Sequence, residues 1–123
     1  MESQELISIV NKFNHCINNQ DLEGLSDLMS EDHLFIDRDG KSHGPKSFMV
    51  DGWKRFFKMF PEYKNTFEKF NTIEDRVYVL GFAYWTKDEP YDPVIWMAKI
   101  EQHLIKEWQI YVDTPENREK FRL

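Results

Sequence analysis

The chain has 123 residues, which suits one hydrophobic core and leaves no room for two, since independent domains usually need roughly 100 to 200 residues. An apolar share of 41% with 15% aromatics excludes disorder as the main state, and a formal charge of −6 with scattered Lys and Arg lacks the basic footprint of a nucleic-acid binder. No run approaches the roughly 18 apolar residues of a membrane span, the acidic start Met-Glu-Ser-Gln-Glu is the wrong order for a secretory signal, and Cys16 is the only cysteine; the expectation is a cytoplasmic protein with no nucleic-acid and no membrane partner.

Leu6, Ile9, Val10, Phe13, Cys16 and Ile17 recur at steps of three and four, which predicts a first helix with Ser3 as its N-cap and Cys16 as a small buried hydrophobe. Asn18-Asn19-Gln20 breaks it, and Asp21 caps a short second helix carrying Leu22, Leu25, Leu28 and Met29. His33 to Asp37 reads as a strand, followed by a turn at Arg38-Asp39-Gly40-Lys41. Gly44-Pro45 opens a third helix, whose Met49, Trp53, Phe56, Phe57 and Phe60 form a wide aromatic face that ends at Pro61. Beyond Pro61 the period becomes two. Tyr63–Ile73, Arg76–Thr86, Val94–Glu101 and Ile105–Asp113 read as strands whose short links make consecutive neighbours antiparallel. Thr114-Pro115-Glu116-Asn117 then starts a terminal helical turn whose Phe121 packs back on the body.

The stretch Asn19-Gln20-Asp21-Leu22-Glu23-Gly24-Leu25, then Ser30-Glu31-Asp32-His33-Leu34-Phe35-Ile36-Asp37 and Gly44-Pro45, resembles the opening of the nuclear transport factor 2-like superfamily, in particular its SnoaL-like branch. Trp108-Gln109-Ile110-Tyr111-Val112-Asp113 resembles that branch's last strand. The resemblance spans the whole chain as a single domain, 1–123. It implies an α+β, cystatin-like cone: three N-terminal helices packed on the concave face of a strongly curved, mainly antiparallel sheet. It also implies a pocket in the cone and a homodimer formed through the outer face of the sheet, with Ile95 and Met97 as contributors. Members include ketosteroid isomerases, polyketide cyclases, epoxide hydrolases and dehydratases, beside proteins that only bind, so the fold leaves the chemistry open.

Asp37 is the candidate catalytic residue. In similar proteins its strand face looks into the cone, and a carboxylate at the mouth of an aromatic pocket would have its pKa raised by desolvation and could act as a general base. The competing reading has Asp37 opening the Asp-Arg-Asp-Gly turn by accepting backbone N–H bonds. Carried across, the isomerases' oxyanion tyrosine falls on Phe13 and their second acid near Trp96, while the epoxide hydrolases' water-activating aspartate falls on Ile110; none of these can do the work. What remains is a ring lining of Phe13, Phe35, Trp53, Phe57, Trp96 and Trp108 around an unknown apolar small molecule. Core packing is the plainer reading of each of these rings.

His15, His33, His43 and His103 show no metal-ligand spacing and are expected on the surface or in turns, with His33 a weak candidate partner for Asp37. No metal or cofactor is expected. Asp113 is read as fixing the C-terminus. Two functions follow: an isomerase or lyase using Asp37 as general base, or a non-catalytic ligand-binding or dimerisation module of the same fold.

Overall fold

A computed structural model of the chain describes residues 1–87 and 91–123. The elements run α1 (Ser3–Asn18), α2 (Leu22–Leu28), β1 (Met29–Ile36), β2 (Ser42–His43), α3 (Lys46–Met59), β3 (Lys64–Ile73), β4 (Arg76–Tyr84), β5 (Asp92–Glu101), β6 (Leu104–Val112) and α4 (Pro115–Lys120). The strands form one sheet in the order β2-β1-β6-β5-β4-β3, in which β1 runs parallel to β6 and every other pair is antiparallel. The sheet is curved, and α1 to α3 pack on one of its faces, so the expected α+β cone is the fold.

α1 forms because its apolar positions make one stripe, and all six of those residues are buried. Its N-cap is Glu2, without a side-chain bond; Ser3 lies inside the helix and its hydroxyl meets that of Thr72 at 2.7 Å. Asp21 caps α2 as expected, accepting from the Gly24 N–H at 3.0 Å. β1 starts four residues earlier than its local pattern suggests, because Met29 already pairs with Ile105 of β6. Its end moves too: Asp37 lies one residue past the strand. Gln102 and His103, both at positive φ, make the two-residue link between β5 and β6 that the right-handed strand twist favours.

The main core lies between the helices and the concave face, where Phe13 meets Trp108 with ring centroids 4.8 Å apart and Val77, Val79 and Ala98 supply the floor. Cys16 is buried at the edge of this core, and burial pushes its thiol pKa up. A second apolar cluster lies on the opposite face. There Phe121 stacks on Tyr78 at 4.2 Å and covers Ile95 and Met97, which are 0% and 3% exposed. Those two residues were expected to be open for pairing with a second copy. The chain's own tail occupies that position, held by Asn71 donating to the Phe121 carbonyl at 2.9 Å and by the Asp113–Arg118 fork at 2.6 and 2.8 Å. Asp113 therefore ties α4 to the end of β6, and Arg118 holds its carboxyl below the usual range.

His33, expected in a turn or on the surface, is 1% exposed and donates from Nδ1 to the Ile105 carbonyl at 2.7 Å. Pairing with β6 draws it inside. Burial lowers its pKa, opposed by the Ile105 bond and Asp32 and reinforced by Lys46. A base whose folded pKa is depressed gives stability that is present above its unfolded pKa of about 6.5 and lost as pH falls below it. The melting temperature is expected to hold near pH 7 and fall from about pH 6.5 downwards. Asp32, Asp37 and Asp113, all shifted down, lose their share only below about pH 4. A melting series for His33→Gln should lose the slope in the upper window alone; an unchanged slope would assign it elsewhere.

Candidate functional site

A cavity of about 350 Å³ opens between α3 and the concave face of the sheet. α3 contributes Phe48, Met49, Gly52, Trp53 and Phe56, while β5 and β6 contribute Val94, Trp96, Trp108 and Ile110. β1 and the hairpin beyond it add Phe35, Arg38 and His43; Tyr63, Asn65, Ala83 and Trp85 complete the far wall. Of the rings expected to line a pocket, Phe35, Trp53, Trp96 and Trp108 border this cavity. Phe13 and Phe57 do not line the cavity. Phe13 is sealed behind Trp108, filling the α1 end of the cone, and Phe57 turns into the core, leaving its neighbour Phe56 to face the opening.

The rings hold one another as well as the space. Phe56 meets Tyr63 edge-on at 4.8 Å and Trp85 at 5.7 Å, and Trp85 meets Tyr63 at 5.1 Å. The Trp85 indole N–H donates to Asp92 at 3.0 Å, which fixes the ring at the junction of β4 and β5. The result is a rigid apolar cage of the kind that buries most of a small ligand.

Asp37 stands behind this wall. Its Oδ1 accepts the Asp39 and Lys41 backbone N–H groups at 2.9 and 3.0 Å, which closes the turn that Gly40 completes at φ +81°. Its Oδ2 accepts from His43 Nε2 at 2.9 Å. The His43 bond, then the Lys41 and Asp39 bonds, hold its pKa below the ordinary carboxylate value. The upward shift expected from desolvation is therefore reversed, because three donors outweigh partial burial. Its histidine partner is also a different one: His43, facing Phe35 across the hairpin, reaches the carboxylate, whereas His33 is turned toward β6.

That pairing fixes one of the two ring nitrogens. A carboxylate accepts only, so a proton sits on Nε2, while Nδ1 has no hydrogen-bond partner among the described residues. His43 lines the cavity and Asp37 does not. His43 is thus a lining residue that sequence reasoning passed over. Register held the signal: pairing Phe35 with His43 puts both on one face.

The opposite wall holds two polar side chains. Tyr63 is buried, and burial pushes its phenol pKa far up while the Asn65 side chain and Arg38 oppose the shift, so it stays a neutral donor. Asn65 is 3% exposed, and its amide oxygen has no partner among the described residues. α1 sets their position: Asn18 accepts from the Asn65 N–H at 2.8 Å and donates to its carbonyl at 2.9 Å. Among the described residues no group of three or more His, Cys, Asp or Glu side chains is gathered as a metal ion requires, and no helix is long and apolar enough to cross a membrane.

The model of the SnoaL-like domain matches residues 10–108, from within α1 to the middle of β6, a range that holds every named lining residue of the cavity but Ile110. The chain belongs to the SnoaL-like domain family. No curated protein matches this SnoaL-like chain in sequence. Among solved structures it is similar to an uncharacterised cystatin-fold protein from Novosphingobium aromaticivorans, at 14% identity and a TM-score of 0.76 over 86% of this chain and 96% of that one. It is similar to an LEH-like epoxide hydrolase from M. tuberculosis, at 14% identity and 0.78 over 92% and 86%. It is also similar to TerC, co-crystallised with polyporic acid, at 13% identity and 0.77 over 97% and 99%. At these identities the likeness is one of fold. In this SnoaL-like chain the family's mould is present, and the polar groups set into it are His43, Tyr63, Asn65 and Arg38.

Proposed function

We propose that this SnoaL-like protein binds a small, largely apolar carbonyl compound in the aromatic cavity and moves a proton on it, as an isomerase or lyase. His43 is the general base and Asp37 its positioning residue. The observation that carries the reading is the 2.9 Å Asp37–His43 bond at the wall of an otherwise apolar cavity. A carbonyl compound's α-proton passes to His43 Nδ1, the electron pair moves to the carbonyl oxygen, and the imidazolium that forms is stabilised by Asp37. The Tyr63 hydroxyl and Asn65 amide are the donors available to the developing enolate. Return of the proton at another carbon gives isomerisation. Expulsion of a β-leaving group gives elimination. TerC, a protein of this fold, was crystallised with a small organic molecule, which supports treating the cavity as a ligand pocket.

The second reading is a binding module without turnover, and the dominance of rings in the lining favours it. 2-Tetralone, a neutral two-ring ketone with acidic α-protons, separates the two. All four tryptophans line the cavity, so their emission reports its occupancy. The expected result is a saturable change in emission, with accelerated α-deuteration in D2O followed by proton NMR. Binding without faster exchange selects the module; no binding removes both readings.

A further inference from the structure

The cavity sorts charge as well as shape. The chain carries 22 Asp and Glu against 16 Lys and Arg, yet among the described residues no carboxylate lines the cavity. Its ionisable lining residues are Arg38, His43 and Tyr63. Among the described residues, two neighbouring acids are already engaged, Asp37 by the turn and His43, and Asp92 by the Trp85 indole. Arg38, in the turn after β1, has no carboxylate within ion-pair distance among the described residues. Its charge reaches the cavity's far wall, where it acts on the Tyr63 phenol.

We propose that the ligand is an aromatic carboxylic acid of about two rings, with Arg38 as the anchor for its carboxylate at the cavity mouth. The inference rests on the pocket reading above and adds the ligand's charge to it. A guanidinium meets a carboxylate with two parallel N–H···O bonds, and the ring-lined wall beyond it takes the ligand's own rings out of water. On a protein of net charge −6, a guanidinium at a pocket that no acid lines among the described residues also draws the anion locally, against the overall field. The volume, near the lower end of the roughly 300 to 1,000 Å³ usual for ligand pockets, sets the size.

Calorimetric titration of 2-naphthoate and of its neutral methyl ester, at low salt, tests this on wild type and Arg38→Gln. Wild type is expected to prefer the acid by about tenfold, an advantage that added salt erodes. Arg38→Gln should bind the two alike while holding the ester as wild type does, which also shows that it folds. Arg38→Lys should restore part of the preference, since it keeps the charge and loses the fork. Equal affinity for both probes in wild type, or a preference that survives in Arg38→Gln, overturns the charge assignment and leaves the pocket reading intact. Failure of the ester as well as the acid to bind wild type overturns the pocket reading and this inference with it.

Discussion

Gly81→Ala is expected to destabilise the fold by about 3 kcal/mol or more, although it adds a single methyl group. A Cβ at position 81 would lie 2.0 Å from the Thr66 carbonyl oxygen, 3.0 Å from its carbon and 3.1 Å from the Phe67 Cα. All three are backbone atoms of the paired strand, so relief requires β3 to move away from β4. The approach is close because the register of β3 shifts between Phe67 and Lys69, an irregularity that bends a strand and strengthens its twist. Two residues on from Gly81, Ala83 lines the cavity, where its small side chain leaves room. Denaturant unfolding measures the effect, with Gly52→Ala as control. On α3 a Cβ meets only Met49 Cε at 4.0 Å, and alanine should match or raise stability by about 0.5 to 1 kcal/mol. A wild-type midpoint for Gly81→Ala would show that the strands are not held in this register.

Which parts were legible follows from how far each interaction reaches along the chain. α1 declares itself because a helix buries residues three and four apart, and Leu6 to Ile17 supply that stripe without help from the rest of the molecule. Asp21 and Thr114 are legible for the same reason, since each caps through a bond three residues away. β2 is two residues long and carries no period, so nothing local marks Ser42–His43 as a strand or sets the His43 ring against Asp37. His33 is buried by a carbonyl 72 positions away, and Ile95 and Met97 are covered by a tail whose return was foreseen through Phe121 while its landing place was not. Tyr63 and Asn65 share parity with Phe67, but both were read as strand alone; their burial depends on α1, through Asn18.

Asp37 does two jobs, and one substitution separates them. In Asp37→Asn the amide oxygen can take the place of Oδ1 and keep accepting from Asp39 and Lys41, so the turn and the melting temperature should hold. The amide nitrogen then stands where Oδ2 accepted from His43, and a donor there faces a donor. The ring must move its proton to Nδ1 or turn away, and either change disables the proposed base. The deuteration of 2-tetralone is expected to fall by about 10³ to 10⁴, the scale found when a carboxylate that orients a catalytic histidine becomes an amide. Affinity for the ketone should be unchanged, so the loss falls on the chemical step. His43→Gln removes the base itself and should bring exchange down by about 10² to 10⁴, again without loss of binding. Asp37→Ala should lower the melting temperature as well, because the turn loses its acceptor. If Asp37→Asn exchanges within a few-fold of wild type while His43→Gln does not, Asp37 serves the turn and the base works without a positioning partner. If neither variant slows exchange, the proton leaves to another group and the Asp37–His43 pair is structural.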